Sequence, residues 1–210
     1  MIYKSFKDRE LSKLGMGNMR LPVHAEQEGR PIDYAKAQEI IDYAMANGIN
    51  YFDTAYVYHN GESEKFLGEA MKKYPRESFS LATKFFIHAN PDYKAVFEEQ
   101  LARLQTDYID FYLIHSLGND TCDTYLNSGC IEYFLEKKAE GKIKYLASLL
   151  MQIRNTSKNL PTITIGISAS CRSTILTGTT APQRQNTILL LPAIFRSSLW
   201  NRFAAAASHP

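Results

Sequence analysis

Residues 49–68 of this 210-residue chain read INYFDTAYVYHNGESEKFLG. The apolar start, Ile49–Phe52, predicts a short buried strand, and Asp53 follows it as the first charged residue. A polar loop then carries Tyr58, and residues 62–68 begin a helix. In parallel α/β proteins, ligands bind and catalytic side chains collect at the carboxyl ends of strands. We therefore interpret Asp53 and Tyr58 as half of a candidate proton relay, whose partners must follow other strands.

The same alternation of strand and helix continues on both sides of this stretch. Apolar runs predict strands at Leu14–Leu21, Ile49–Phe52, Phe79–Thr83, Tyr108–Ile114 and Lys142–Leu146, after a hairpin of Tyr3–Phe6 and Glu10–Lys13. Helical periodicity and caps predict helices at Asp33–Asn47, Ser63–Lys73, Asp92–Leu104 and Tyr125–Glu140. Strands that are apolar on both faces and alternate with helices indicate a parallel sheet covered by helices.

The composition argues against several classes of partner. Lysine and arginine number 24 against 22 for aspartate and glutamate, so the charge balance gives no reason to expect nucleic acid or membrane. No apolar stretch is long enough to span a bilayer, and the charged first residues do not resemble a signal peptide. The three cysteines, Cys122, Cys130 and Cys171, are odd in number and lack metal-ligand spacing. We therefore expect a reduced, cytoplasmic compartment.

Three successive predicted strands end in ionisable residues, namely Asp53, Lys84 and His115. In a barrel, consecutive strand ends converge on one mouth, where Tyr58 would join them. Such a set suits proton donation to a carbonyl group that also receives hydride. A free tyrosine, with a pKa of about 10, is a weak acid at neutral pH, but a neighbouring ammonium stabilises the phenolate. We expect Lys84 to supply the ammonium, Asp53 to hold Lys84, and His115 to hydrogen-bond the substrate carbonyl oxygen.

Each of these residues also has a purely structural interpretation. Asp53 could cap the turn after its strand, and Lys84 could be a solvated loop lysine. Tyr58 could cover part of the core, and His115 could be a hydrogen-bonded strand-end histidine. For any one of these residues considered alone, the structural interpretation is favoured over the catalytic one. The joint pattern favours catalysis, because four ionisable groups of complementary role follow consecutive apolar strands.

These residues resemble the aldo-keto reductase family. The stretch FDTAYVYHNGESEKFLG resembles the family's second-strand signature, LATK its lysine strand, and YIDFYLIH its histidine strand. The resemblance covers residues 1–146 without a gap. It implies that Asp53, Tyr58, Lys84 and His115 form the catalytic tetrad, with Tyr58 as the acid. It also implies an eight-stranded TIM barrel that reduces small aldehydes or ketones to alcohols.

The resemblance extends to cofactors. Family members use NADPH and sometimes NADH, and the match implies that Gly17, Asn18 and Met19, together with Asp53, line the nicotinamide pocket. Members often carry threonine where this chain has Asn18. The opening YKSFKDRELSKLGMGNMRLP and the loop YHNGESE resemble bacterial reductases that often carry a ferredoxin-like iron–sulfur extension. We expect such a cluster only in an intact longer form and not in this chain.

The sequence changes character after Leu146. All 22 acidic residues lie at or before Glu140, and the remainder is rich in Thr, Ser, Asn, Gln and Arg. The family's Gly-Phe-Ser strand end is missing there. Reading the implied codons one base out of register permits Phe-Ser-x-His-Ala-Asp-Pro-Glu over Ala147–Asn155. The segments Gly166–Gly178 and Phe195–Ser208 then permit sequences that resemble the family's sixth and seventh strand regions. We therefore hypothesise a one-base deletion near codon 146.

This hypothesis divides the chain into two parts. Residues 1–146 are predicted to form about the first half of a barrel, because a TIM barrel needs eight strands and typically about 250 residues. Residues 147–210 are predicted to be a non-native tail, with local β structure favoured at Thr162–Ile167. The scattered arginines of the tail do not form a basic patch, and its apolar runs are too short for a membrane anchor.

Two function classes remain open. The first is an NADPH-dependent carbonyl reductase, as the residues before Leu146 indicate. The second is a non-catalytic product, either an inactive fragment or a protein that only binds partners. Cofactor titration separates the two, because nicotinamide binding would quench protein fluorescence in the first case only.

Overall fold

The computed structural model describes residues 1–117, 121–150, 166–167 and 190–191. Its first strands are β1 (Tyr3–Phe6), β2 (Arg9–Ser12), β3 (Met16–Gly17), β4 (Tyr51–Asp53), β5 (Ser80–Phe85), β6 (Ile109–Leu117) and β7 (Ile143–Leu150). Strands β3 to β7 form one parallel sheet in chain order, and β1 and β2 form an antiparallel hairpin. The prediction of four parallel strands followed by a fifth from near Ile143 is confirmed.

Helices cover one face of this sheet. They are α1 (Tyr34–Ala46), α2 (Glu62–Met71), α3 (Tyr93–Leu104), α4 (Cys122–Asn127) and α5 (Cys130–Ala139). The Asp33 carboxylate accepts a hydrogen bond from the Lys36 amide at 3.1 Å, and Asp92 accepts one from the Ala95 amide at 3.0 Å. A helix start leaves such amides unpaired, so these two caps fix the predicted starts of α1 and α3.

The first predicted strand of the parallel sheet is much shorter than expected. Of Leu14–Leu21, only the two residues of β3 pair with β4. The Asn18 side chain donates to the Asp53 carbonyl oxygen at 3.0 Å, and the Leu21 amide donates to the His59 imidazole at 3.2 Å. The chain therefore leaves the sheet after β3 and packs against the loop that follows β4.

Two further predicted boundaries were wrong. The single helix predicted at Tyr125–Glu140 is two helices, because Gly129 adopts the left-handed conformation (φ 78°) between α4 and α5. His115 does not end its strand, since β6 continues to Leu117. The longer β6 affects the site, because the strand is irregular directly after His115.

The strands sort their side chains onto two faces, because successive residues of a strand point to opposite sides. The face toward the helices carries Phe52, Leu81, Phe85, Tyr112, Ile114 and Leu146. The opposite face, here called the inner face, carries Tyr51, Ala82, Phe111, Leu113, Tyr145 and Ala147, packed with Phe6 and Leu11 of the hairpin. Continuing the alternation places Asp53 and Lys84 on the inner face.

The hairpin closes the amino-terminal end of the inner face. The ring of Phe6 lies 5.6 Å from that of Phe111, centroid to centroid. The fully buried Asp110 carboxylate binds two guanidinium groups, with Arg9 Nη1 at 2.6 Å and Arg76 Nη2 at 2.7 Å. The starts of the strands are thus tied together, which leaves their carboxyl ends as the end where a ligand can enter.

Two described segments lie beyond β7. They are β8 (Gly166–Ile167) and β9 (Leu190–Leu191), which pair in parallel. Strand β8 falls at the end of the stretch predicted to favour β structure. Strand β7 runs four residues past the predicted boundary at Leu146, and most of the tail, including Cys171, lies outside the described residues. None of the described helices has the length and apolar character needed to cross a membrane.

Candidate active site

Buried Lys84 and partly buried Asp53 form an ion pair on the inner face. Lys84 Nζ lies 2.5 Å from Asp53 Oδ1 and donates to the Thr54 carbonyl oxygen at 2.6 Å. The lysine is 3% exposed. Burial alone would lower the pKa of Lys84, but the Asp53 carboxylate and Tyr58 outweigh it, and the pKa is raised. The site therefore holds a fixed ammonium charge at neutral pH.

A tight turn follows β4 and carries Tyr58. The turn is the 3-10 helix Tyr58–Gly61, in which His59 (φ 49°), Asn60 (φ 55°) and Gly61 (φ 90°) adopt left-handed conformations in succession. Such conformations are costly for residues with side chains and persist where surrounding structure enforces them. The bond from the Leu21 amide to His59 ties this turn to the segment after β3.

Tyr58 lies beside both Lys84 and His115. The Lys84 ammonium is 4.8 Å from the centroid of the tyrosine ring. The ring of His115 is 6.2 Å away and nearly perpendicular, at 84°. The structure therefore brings the four residues predicted from sequence, Asp53, Tyr58, Lys84 and His115, to one mouth of the sheet. Their catalytic role stays a prediction that this geometry permits.

An irregularity in β6 sets the orientation of His115. The pairing of β6 with β7 shifts register after Ile114, and Ser116 adopts a left-handed conformation with φ 55°. Bulges of this kind occur next to active sites, where they redirect side chains. The freed carbonyl groups are bonded by side chains: the Tyr125 hydroxyl donates to His115 O at 2.7 Å, and the Thr121 hydroxyl donates to Ser116 O at 3.0 Å.

The His115 imidazole is neutral at physiological pH. Burial lowers its pKa to about 4, and the charge of Lys84 lowers the pKa in the same direction. Its Nδ1 is buried without a hydrogen-bond partner among the described residues. The Phe86 ring packs against the imidazole with centroids 5.3 Å apart. A neutral imidazole held beside a tyrosine suits a hydrogen bond to an uncharged carbonyl group.

The residues predicted to line a nicotinamide pocket follow β3. Gly17 pairs with Asp53 across the sheet. Asn18 is fully buried, and its Oδ1 has no hydrogen-bond partner among the described residues. Met19 is 56% exposed. An unpaired buried acceptor is costly unless a ligand supplies the donor, so this segment fits a ligand with an amide group, such as nicotinamide.

Comparison with known proteins places this site in a family. Residues 13–155 match the model of the Aldo/keto reductase family. The chain belongs to this family. Aldo/keto reductases are oxidoreductases with a TIM-barrel fold, so the five parallel strands of the described sheet are part of that barrel. The predicted fold, a TIM-barrel type with about the first half of the barrel, is confirmed for the residues that the structure describes.

Individual relatives match about two thirds of the chain. An aldo-keto reductase of Glycine max is 34% identical over 65% of this chain and 41% of its own length. The NADH-specific methylglyoxal reductase of Escherichia coli (strain K12) is 30% identical over 67% of this chain and 49% of its own. The holo form of an aldo-keto reductase from Bacillus halodurans superposes with a TM-score of 0.56 at 35% identity, covering 69% of this chain and 48% of that one. The chain thus spans less than half the length of these relatives.

Sequence reasoning missed the residues that hold the site from behind. These are Thr54, Ser63, Glu64, Gln100, Arg103 and Tyr125. A usable signal was present for two of them. Glu64 and Gln100 lie three residues before Leu67 and three after Phe97, on the apolar stripes of their helices. A polar residue on such a stripe is buried, and it therefore needs hydrogen-bond partners.

Proposed function

We propose that this site belongs to an NADPH-dependent reductase that converts small aldehydes or ketones to alcohols, with Tyr58 as the general acid. The observation that carries the proposal is the Lys84 ammonium, which is buried, bonded to Asp53 at 2.5 Å and 4.8 Å from the centre of the Tyr58 ring. A fixed ammonium beside a phenol stabilises the phenolate that remains after proton donation. A buried structural lysine would need the carboxylate as a counter-charge, but it would not need a tyrosine ring at the same mouth.

The four side chains have distinct roles in this proposal. Tyr58 donates its hydroxyl proton to the carbonyl oxygen of the substrate. Lys84 stabilises the resulting phenolate, and Asp53 keeps the ammonium charged and oriented. Neutral His115 donates a hydrogen bond to the same carbonyl oxygen and so orients it. Proton transfer by a positioned side chain contributes about a hundred- to ten-thousand-fold in rate.

The cofactor residues are proposed from the segment after β3. Gly17, Asn18 and Met19, with Asp53, would hold the nicotinamide, and the unpaired Oδ1 of Asn18 supports this assignment. NADPH, when bound, supplies the hydride. NADH is the alternative cofactor, because a relative of 30% identity is named an NADH-specific methylglyoxal reductase.

A second proposal concerns the chain as written. The chain covers less than half the length of its relatives. Much of the surface that binds the cofactor would therefore have to come from residues outside the matched part. We propose that residues 147–210 are out of frame and that this 210-residue chain is impaired as a reductase. The alternative is a non-catalytic product, either an inactive fragment or a protein that binds partners.

Side-by-side expression tests both proposals. One sample is the 210-residue chain, and the other is the frame-restored protein, in which residues 1–146 continue in the alternative reading frame. NADPH titration followed by protein fluorescence, and reduction of a simple aldehyde, should both succeed for the frame-restored protein only. Failure of both samples to bind NADPH would refute the reductase proposal. Full activity of the 210-residue chain would refute the frameshift.

A further inference from the structure

A buried polar network lies behind Lys84, on the face of β5 that meets the helices. Thr83 precedes Lys84 and points the opposite way, and its hydroxyl donates to Glu64 Oε1 at 2.6 Å. The Gln100 amide donates to the same oxygen at 2.6 Å and to the Lys84 carbonyl oxygen at 3.2 Å. Glu64, Thr83 and Gln100 are each 0% exposed. The backbone of β5 at Lys84 is therefore linked through Gln100 to the Glu64 carboxylate in the helix layer.

The same carboxylate is linked to the segment that leads into the Tyr58 turn. Arg103 Nη1 lies 3.2 Å from Glu64 Oε2 and donates to the Tyr56 carbonyl oxygen at 3.4 Å. The guanidinium carbon also stacks 4.6 Å from the Tyr56 ring. The Tyr56 amide in turn donates to the Lys84 carbonyl oxygen at 3.4 Å. One buried glutamate thus bonds the lysine strand directly at Thr83 and, through Arg103, the residues that lead into the Tyr58 turn.

Stability alone gives a weak reason for this arrangement. A buried ion pair costs desolvation, and well-packed apolar residues often replace one without loss of stability. Burial raises the pKa of the Glu64 carboxyl, which shows the cost of keeping a charge there, although Thr83, Gln100 and Arg103 oppose the rise. Both oxygens of the Glu64 carboxylate are nevertheless hydrogen-bonded, and buried polar groups with their partners in place fix the local geometry.

We propose that Glu64 is a positioning residue that fixes Tyr58 relative to Lys84, acting through Thr83 and Gln100 on one side and Arg103 on the other. The inference rests on the proposed function for its catalytic consequence. The positioning itself is independent of that function, because it concerns the packing of β5 against the Tyr58 turn. Residues that support a site in this way typically matter about ten- to a hundred-fold.

The 210-residue chain offers a matched pair of variants. Glu64→Gln removes the buried charge next to Arg103. Glu99→Gln removes the other carboxylate bound to Arg103, at 2.6 Å, but this glutamate is 44% exposed and does not touch β5. The readout is acylation of Lys84 by acetic anhydride, followed by mass spectrometry, which requires no enzymatic activity. We expect Lys84 to react about tenfold faster in Glu64→Gln and at an unchanged rate in Glu99→Gln.

Equal acylation of Lys84 in the two variants would overturn the proposal. If Glu64→Gln does not fold, as judged by circular dichroism, Thr83→Val takes its place. This variant keeps the β-branched shape and removes the hydroxyl's two bonds within the network, to Glu64 and from Gln100. An unchanged acylation rate in folded Thr83→Val would overturn the proposal as well. Faster acylation in Thr83→Val supports it.

A kinetic readout separates positioning from a purely structural role. In the frame-restored protein, Glu64→Gln should lower kcat for aldehyde reduction about tenfold or more while the KM for NADPH stays unchanged. Loss of kcat in Glu99→Gln to the same extent would contradict the role. If the unsubstituted protein reduces no carbonyl compound, the proposed function fails, whereas the acylation result still decides whether Glu64 positions Lys84.

Discussion

The carboxylate of Asp53 and the ammonium of Lys84 lie 2.5 Å apart because two parallel strands place them side by side. Asp53 pairs with Ala82 in the sheet, and Lys84 follows two residues later on the same face. A one-residue slip of β5 would turn Lys84 into the helix layer and bring Thr83 to the mouth. The ion pair therefore depends on strand register, and the packing around β5 maintains that register.

The lowered pKa of His115 predicts a specific pH dependence of stability. The imidazole has a pKa of about 4 in the folded protein against about 6.5 when unfolded, so the unfolded state binds more protons between these values. The contribution to the free energy of unfolding is complete above pH 6.5 and is lost as the pH falls toward 4. Replacing the imidazole in His115→Gln should therefore flatten the pH dependence between 4 and 6.5, as measured by urea unfolding.

The control for this prediction is His88→Gln, at an exposed histidine of the same mouth region. Its pH dependence should match that of the unsubstituted protein. Direct titration of the His115 ring by nuclear magnetic resonance should show a neutral imidazole at pH 6. A protonated His115 at that pH would contradict the proposed neutral hydrogen-bond donor.

Close packing between α2 and α3 predicts a strong effect of a single methyl group. A Cβ added at Gly68 would lie 2.3 Å from the Arg103 carbonyl oxygen, and backbone cannot move aside cheaply. We expect Gly68→Ala to lower the free energy of unfolding by about 1–3 kcal/mol, despite the better helix propensity of alanine. The comparison is Gly29→Ala, where nothing lies within 4 Å and only the left-handed conformation (φ 74°) carries a cost.

Thermal or urea unfolding of the two glycine variants measures the difference. If Gly68→Ala is as stable as the unsubstituted protein, the two helices are not packed as closely as described. In that case Arg103 would also have freedom to leave Glu64, which would weaken the argument for the network behind Lys84.

The ion pairs at the amino-terminal end of the strands predict a loss of stability without a change at the mouth. Asp110 is fully buried between Arg9 and Arg76 and accepts a further bond from the Leu81 amide at 2.9 Å. Asp110→Asn should cost about 3 kcal/mol, because two partly buried guanidinium groups lose their counter-charge. The exposed pair of Glu62 and Lys65 is the control, and Glu62→Gln should cost about 0–1 kcal/mol.

Urea unfolding again supplies the measurement for Asp110→Asn. The acylation rate of Lys84 should stay unchanged in this variant below the unfolding transition, because Asp110 lies at the opposite end of the strands. Faster acylation would mean that the strand starts and the mouth are coupled.

The sequence predicted the sheet and the mouth residues well, for a physical reason. Apolar runs such as Tyr108–Ile114 specify buried strands, and a charged residue after such a run can lie only at an end of the sheet. Asp53 and Lys84 are found from this rule alone. Their order on consecutive strands then makes them neighbours, because parallel strands with helical crossovers usually lie side by side.

The remaining features depend on contacts that are distant in sequence. The bulge at Ser116 contains no glycine, so the sequence gives no signal for it. It is stabilised by the Tyr125 hydroxyl of the next helix. The network around Glu64 joins two helices and a strand, so periodicity indicates only that this residue is buried. The short β3 could not be predicted either, since Asn18 leaves the sheet to bond Asp53.

The central claim is that Tyr58 donates the proton, and Tyr58→Phe in the frame-restored protein tests it most directly. The substitution removes the hydroxyl and keeps the ring beside Lys84. Tyr56→Phe is the control, because the Tyr56 hydroxyl bonds the exposed Glu99 at 3.0 Å. We predict that Tyr58→Phe lowers kcat for aldehyde reduction by about a hundred- to ten-thousand-fold and leaves the dissociation constant of NADPH within about twofold, while Tyr56→Phe changes neither. An unchanged kcat in Tyr58→Phe, or an equal loss of NADPH binding, would contradict the claim.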